Sequence, residues 1–355
     1  MALSTKIKVL ILNPGENLNG VTWWRMYQPF HDLERQYGDE IEITYNRGEL
    51  QPQDFLQYDV YFFLRPYMPL HLHLLQELKR YARHFKNASP VILDFDDDNK
   101  NLPLYHLNYQ DEGVGYQITR QALPLASEIW VSTPPIAESY KPHAADAPSI
   151  IMPNAGAARF CVIPNAIDTW GAGEWNFNHR QPDAIKQHPA GVVWWGGSAG
   201  HHHDLQAFEA AYYKLEPKIQ EMHWCGYLPP YSLDLNKTRY YPAIFPTLQY
   251  FEVLESTKPN YIWKPLQNIA FNDAKSNIQY LQATQAGALC LTNYAGRPGW
   301  EYATKDIITD EAKAFDLWYE AVKDIRVRYD LFRSSKLRYD SIVRCATGQI
   351  KSPDA

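Results

Sequence analysis

The stretch from Phe271 to Gly287, FNDAKSNIQYLQATQAG, constrains this chain more than any other part of it. A Lys-Ser-Asn triplet opens an amphipathic helix and Ala-Gly closes it, with Ile278, Leu281 and Ala286 close to helical spacing. Ser276 or Asn277 stands where a helix cap is expected. Backbone N–H groups at such a start, with Lys275 beside them, suit a phosphate. The apolar run Ala288-Leu-Cys-Leu-Thr292 follows. A loop, an anion-binding helix start and a buried strand predict a nucleotide site in an open α/β sheet.

The rest of the chain repeats that alternation. Lys8-Val-Leu-Ile-Leu-Asn13 is nearly continuous in apolar residues, as strands covered on both faces are. A glycine loop from Pro14 to Gly20 follows, then a helix from about Trp24 to Tyr37. Further strands are expected at 41–45, 60–64, 91–94 and 128–131. Pro69 suits the first turn of a helix over 70–85. Residues 170–189, rich in Gly, Asn, Pro and charge, read as a linker. The pattern then restarts with a strand at 191–195, a helix at 204–215 and strands at 222–225, 261–263 and 288–291. The stretch 315–344 is helical in pattern. The expected architecture is therefore α/β: a Rossmann-like unit over 1–169, the linker, a second over 190–330, and a C-terminal helix over 331–355 that returns to the first unit.

Several motifs, taken in order, resemble those of retaining GT-B glycosyltransferases of the family 4-like, phage-encoded type. Phe271-Asn272-x-x-Lys275-Ser276 with Leu281-Gln282-Ala283 and Gly287 is similar to the donor-binding motif of that family. Val162-Ile-Pro-Asn-Ala-Ile-Asp168 resembles the segment that ends the first domain. Gly197-Ser198-x-x-His201-x-x-Asp204-Leu205 resembles the first loop and helix of the second. Asn19-Gly20 with Arg25 resembles the first glycine loop and helix. The resemblance implies a GT-B fold of two doubly wound domains facing a cleft, and a nucleotide-sugar donor, with a UDP-sugar first in expectation. It implies transfer with retention and no metal or other cofactor. In one departure, the family's two glutamates around the donor helix fall on Ala274 and Gln282. Gln282 can hydrogen-bond a ribose, but without charge.

On this reading the donor contacts are Gly20, Ser198, His201, Lys264, Lys275, Ser276, Asn277 and Gln282. Lys275 and the helix N–H groups carry the charge of the leaving diphosphate. An ordinary capped surface helix would present the same residues. Asp94-Phe-Asp-Asp-Asp98 follows a strand, where catalytic loops collect. Asp97 and Asp98 are expected to face the cleft and handle the acceptor hydroxyl, while Asp94 braces the sheet. A solvated acidic loop is the plain alternative. Trp23, Trp24 and Arg25 are candidates for acceptor binding, since indoles beside a cleft stack on sugars or bases. The tryptophans serve equally as packing for the first helix. His201, His202 and His203 are consecutive and do not share a face, so no metal site is assigned.

Composition narrows the partners. The formal charge of −6 over 355 residues argues against a global electrostatic grip on nucleic acid. A local grip remains open, because Lys323, Arg326, Arg328, Arg333, Lys336, Arg338 and Arg344 cluster near the C-terminus. Some phage-encoded members of the resembling family act on hydroxymethylpyrimidine bases in DNA, so modified double-stranded DNA is one candidate acceptor. A glycan or lipid precursor is the other, and 78–86 is a short basic helix for it. A non-catalytic sugar-nucleotide or glycan binder that has lost the carboxylates is the reading from another class. The four cysteines form no CxxC pair, and no run is long and apolar enough to span a bilayer, so a reduced, cytoplasmic protein is expected. Oligomeric state is not legible.

Overall fold

The computed structural model describes residues 6–12, 20–46, 57–84, 90–106, 109, 113–145, 158–167, 191–244 and 247–348. The expected linker, Asp168 and the glycine loop before Gly20 lie outside these.

Two parallel sheets organise the chain. The first holds β1 (Ile7–Leu12), β2 (Ile41–Tyr45), β3 (Val60–Leu64), β4 (Val91–Phe95), β5 (Glu128–Val131) and β6 (Arg159–Val162), in the order β2-β1-β3-β4-β5-β6. The second holds β7 (Val192–Gly197), β8 (Glu221–Gly226), β9 (Thr238–Tyr241), β10 (Tyr261–Trp263) and β11 (Leu289–Leu291), in the order β11-β10-β7-β8-β9. Every pairing is parallel. Parallel neighbours need crossovers, so helices cover both faces and the central strands are buried on both. That is why β3 and β4 contain only buried residues. Two clusters fill the space above and below the first sheet, and a third, rich in tryptophan, fills the second unit.

Helix limits follow local chemistry. The helix Pro69–His84 begins on its proline, whose missing N–H costs nothing there. The helix Ile278–Gln285 ends at Gly287, which sits at φ +74, and the Ala288 N–H closes the end on Ala283 O at 2.8 Å. The expected single helix at 204–215 is two pieces, His202–Ala207 and Glu209–Leu215, interrupted at Phe208. The C-terminal helical stretch is also two helices, Glu311–Arg328 and Leu331–Thr347. Asp310 and Asp330 cap their starts by accepting from Lys313 N and Arg333 N. Strands β6 and β9, and the helices Val114–Ala122, Pro134–Ala145 and Thr247–Ser256, are additions to the sequence reading.

The final helix, Leu331–Thr347, lies on the first sheet, far in sequence from it. Glu128 on β5 is fully buried and accepts from Ser341 Oγ and from Arg344 Nη2, the latter at 3.1 Å. Ser341 Oγ in turn accepts from Trp130 Nε1 at 2.8 Å, and Ser335 Oγ donates to Asp32 at 2.6 Å. The chain crosses between units twice, side by side. Ile167 N donates to Tyr329 O, and Leu331 N donates to Ile167 O, both at 2.9 Å.

Because Glu128 gathers these contacts without water, Glu128→Ala should strand the Arg344 and Ser341 donors and cost about 2–4 kcal/mol. Urea unfolding should register that loss, and hydrogen exchange should show the final helix opening first. Lys336→Ala, which removes an exposed pair with Asp340, should leave the unfolding midpoint unchanged.

Candidate active site

The carboxyl ends of both sheets face one another, and part of the polar set expected from the sequence stands there. Strand alternation puts Asp94 and Asp96 on the same side of β4 and its continuation. Asp94 is fully buried, as is Arg25, and they pair at 2.6 Å from Nη2 to Oδ1, with Nε also within hydrogen-bond reach. Arg25 Nη1 donates to Ile163 O at 2.7 Å and to Asn165 Oδ1 at 3.2 Å. Asn165 Nδ2 then donates to Ser276 Oγ at 2.9 Å. A continuous polar chain thus runs from the first sheet to the turn before the helix Ile278–Gln285.

Two expectations for the first helix are corrected by this arrangement. Arg25 has no surface for an acceptor, since its guanidinium is consumed by Asp94 and the crossover. Trp24 is buried in the core of the second unit, edge-on to Phe251 with ring centroids 5.9 Å apart. Trp23 is partly exposed and packs against that same core. All three lie in one π-helical turn, Trp23–Tyr27, wedged between the units. Gly20 is exposed at the start of this helix, and a Cβ there would meet nothing within 4 Å.

The acidic loop after β4 divides its work. Asp98 is buried, accepting from Asn101 Nδ2 at 2.6 Å and Ser139 Oγ at 2.8 Å, so its carboxylate braces the loop instead of facing the cleft as expected. Burial pushes its carboxyl up. Asp96 and Asp97 are held by Arg65, whose Nε reaches Asp96 and whose Nη2 lies 2.5 Å from Asp97 Oδ2. Burial raises the Asp96 carboxyl. Burial acts the same way on Asp97, but the positive charges of Arg65 and Lys275 outweigh it and hold Asp97 below the ordinary carboxylate range. Arg65 is the residue that sequence reading missed. It stands directly after β3 with φ at 46, a conformation costly for a side chain with a Cβ. Its one sequence signal is its position at a strand's carboxyl end, which it shares with Asp96, Ser198 and Lys264.

On the second unit the central element is a hydrogen-bonded row. Asp204 Oδ1 accepts from Gln267 N at 2.9 Å and Asn272 Nδ2 at 2.8 Å. Its Oδ2 lies 3.0 Å from His201 Nδ1, and His201 Nε2 lies 2.8 Å from Lys264 Nζ. Burial opposes the Asp204 charge, yet the His201 hydrogen bond and the Gln267 N–H hold its carboxyl well below the ordinary range. Burial, with Lys264 and Lys275 nearby, pushes His201 down to about 3, so the ring is neutral. With Nδ1–H donated to Asp204, Nε2 carries the lone pair that accepts from Lys264. Lys264 is only 3% exposed, and burial with the Lys275 charge pushes it down to about 7.

Lys275 is half-buried beside this row, its ammonium 4.6 Å from the Phe271 ring centre. Neither Ser276 nor Asn277 caps the following helix. Ser276 Oγ meets Asn165, and Asn277 Nδ2 donates to Gly299 O at 2.8 Å. Gln282 is buried within the helix. Ser198 is exposed and accepts from Gly200 N, capping the short turn Ala199–His201. The three imidazoles go separate ways, His202 to the Tyr227 hydroxyl and His203 to Tyr105 O, each at 2.7 Å. Among the described residues no group of three or more His, Cys, Asp or Glu side chains is arranged for a metal ion. Tyr105 also donates to Gln267 Oε1 at 3.0 Å, and Thr133 Oγ1 to Ala274 O at 2.7 Å, so the units touch around the site. Close packing between strand ends needs a glycine at Gly226, where a Cβ would lie 2.4 Å from Gly197 O.

The basic cluster near the C-terminus is mostly spent within the protein. Arg338 is fully buried, Arg328 pairs with Glu301 and Asp324, Arg344 with Glu128, Lys323 with Glu320 and Lys336 with Asp340. Arg338 therefore cannot contact a DNA backbone. No helix among the described residues is long and apolar enough to cross a membrane.

The architecture is that of the GT-B glycosyltransferase fold, two Rossmann-like parallel-sheet domains facing a cleft. An alpha-glucosyltransferase (AGT) solved in complex with UDP superposes over 97% of this chain and 98% of its own, with a TM-score of 0.51 and 12% identity. A UDP co-structure of MnaA from S. aureus matches over 98% and 99%, with a TM-score of 0.48 and 11% identity. The catalytic domain of starch synthase IV from Arabidopsis thaliana, bound to ADP and acarbose, covers 83% of this chain and 75% of its own, with a TM-score of 0.46 and 11% identity. At these identities the likeness is one of fold. No family model matches the sequence, and no curated protein matches it.

The buried Lys264 has a measurable consequence for stability. Its value is about 7 when folded against an ordinary 10.5, so the unfolded chain binds its proton more tightly. That penalty is fully present below about pH 7 and fades as pH rises toward 10.5. Lys264→Met should therefore raise the melting temperature at pH 6.5, by about 2–4 °C. The gain should shrink as pH rises from 7 to 10. A melting temperature below wild type at every pH would contradict the placement of this side chain.

Proposed function

We propose that this chain transfers a sugar from a nucleotide-sugar donor, a UDP-sugar in first expectation, to a hydroxyl acceptor in the cleft. One observation carries the reading: Lys264 and Lys275 of the second unit stand within electrostatic range of the carboxylate Asp97 of the first unit, across the cleft. The donor diphosphate lies against Lys275, Lys264 and the start of the helix Ile278–Gln285. Bond cleavage pushes negative charge onto the leaving phosphate, and fixed cations stabilise that charge where it develops. A partly desolvated setting strengthens them.

Asp97 faces the acceptor. A carboxyl held low is a weak proton acceptor, so Asp97 orients the hydroxyl and supports positive charge on the sugar. The proton then goes to the leaving phosphate oxygen, which fits transfer with retention and no metal. The UDP complex of the similar alpha-glucosyltransferase supports a nucleotide donor. For the acceptor, the paired C-terminal cations weaken the case for DNA and leave a hydroxyl on a glycan or lipid precursor equally open. The non-catalytic binder stands as the outcome in which donor binds and no sugar moves.

Lys275→Ala should cut transfer by about 10²–10³, equal to about 3–4 kcal/mol of transition-state stabilisation. Steady-state kinetics over a panel of nucleotide sugars, with hydroxymethylated DNA and glycan acceptors in parallel, measures it. Near-wild-type turnover in that variant would end the assignment. Wild-type activity should also persist in EDTA. Chelator inhibition reversed by Mn²⁺ would move the diphosphate to a metal.

A further inference from the structure

The Asp204–His201–Lys264 row contains an anomaly that phosphate binding alone does not explain. A buried lysine placed to hold an anion would ordinarily keep its charge through a carboxylate partner. No carboxylate among the described residues lies at hydrogen-bond distance from Lys264. Among the described residues the one hydrogen-bond partner of its ammonium is the neutral imidazole of His201. The carboxylate that might have served is taken, since Asp204 is occupied by His201, Gln267 N and Asn272. Asp97 is taken in the same way by Arg65. The tautomer of His201 is fixed by Asp204, so Nε2 accepts from Lys264 whether that group is –NH2 or –NH3⁺.

We propose that Lys264 is a proton-coupled seat for the donor diphosphate: its Nζ takes up one proton from solvent as the anion binds and returns it when the nucleotide leaves. The proposal rests on the nucleotide-sugar reading of the site. The proton balance is simple. A neutral amine plus a solvent proton gives the ammonium, and the incoming diphosphate supplies the counter-charge that the protein withholds. His201 moves no proton. It holds Nζ in place through both states and keeps it from turning toward Asp97.

The surroundings agree. The ionisable groups that act on Nζ come from several elements: His201 and Asp204 at the start of the helix His202–Ala207, Lys275 before the donor helix, Cys290 on β11 and Asp97 from the loop after β4. Burial and the Lys275 charge disfavour the ammonium, and the two aspartates favour it less strongly, which leaves the group poised near neutrality at about 7. A bound diphosphate adds charge of the opposite sign at this position and moves that balance toward the ammonium. Such coupling makes the empty site reluctant to trap stray anions in alkaline solution. It also makes release of the spent nucleotide easier as pH rises.

Calorimetry with UDP-glucose, ADP-glucose and GDP-mannose as probes tests the idea on the full chain. The diphosphate of these sugars is a diester and does not itself titrate near neutrality. At pH 8 the observed heat should depend on the ionisation enthalpy of the buffer, with uptake of about one proton per site. Affinity should weaken by about tenfold per pH unit above neutrality. Lys264→Arg, charged at every pH used, should bind with buffer-independent heat and an affinity flat from pH 6.5 to 9. Binding by wild type with buffer-independent heat would overturn the proton coupling and leave the donor site intact. No heat with any of the three sugars would instead overturn the nucleotide-sugar reading, and the seat with it. A Lys264 side-chain NMR signal in the free protein, identified by its loss in Lys264→Arg, should titrate near pH 7. A midpoint above about 9.5 would also overturn the proposal.

Discussion

The buried pair of Arg25 and Asp94 is the constraint on which the rest depends. Neither side chain touches water, so each charge is tolerable only in the presence of the other and of the neutral acceptors around them. Satisfying the guanidinium requires three distant segments at once: the π-helical turn after β1, the end of β4, and the crossover at Ile163 and Asn165. Asn165 passes the constraint to Ser276 in the second unit. The carboxyl ends of both sheets are therefore registered to one another by polar groups, while the tryptophan-rich core gives that contact its apolar area. Such a pair adds little net stability compared with a hydrophobic replacement. Its contribution is specificity of placement, because any sliding of one segment leaves a charge buried alone.

That registration determines the electrostatics of the cleft. Lys264 and Lys275 stand on the second unit and the carboxylates of Asp94, Asp96, Asp97 and Asp98 on the first, and these four differ in freedom. Asp94 and Asp98 are committed to structure, Asp96 is buried under Arg65, and Asp97 alone combines partial exposure with a charge held by its neighbours. Arg65 meets this demand at the cost of a left-handed backbone conformation, and its own N–H is secured by Asp94 O at 2.9 Å. Strain of this kind persists where surrounding contacts over-determine it, and it sits here beside the group that the chemistry uses.

Much of the fold was legible. Strands β3, β5 and β10 lie where largely apolar runs placed them, because a strand covered on both faces is apolar along most of its length, and the edge strand β2, IEITY, lies at its expected 41–45 with one buried residue. Strand β9, TRYY at the edge of the second sheet, is partly exposed along its length and carries no such pattern. The site was legible by residue type and less so by role. Lys264, Lys275, His201 and Asp97 do converge. Arg25, Trp24 and Asp98 were assigned to the acceptor on proximity in sequence to a cleft loop, and they point inward instead. A side chain's direction after a strand depends on what is packed beside it, and those neighbours come from segments more than a hundred residues away, such as Asn165 for Arg25.

Sequence by itself determined the repeated strand–helix order, the two parallel sheets, the helix stop at Gly287 and the chemical inventory at the carboxyl ends of strands. These follow from local rules of periodicity, of glycine and proline geometry, and of the crossovers that parallel strands require. Only the tertiary structure decided which of those groups keep their charge, and for whom. Lys264 is an unremarkable lysine in the sequence. It becomes a poised one because Asp204 is already spoken for, His201 is neutral and Lys275 lies close by. The proton affinity of a side chain is set by water removed and charges brought near, and both are properties of the folded arrangement.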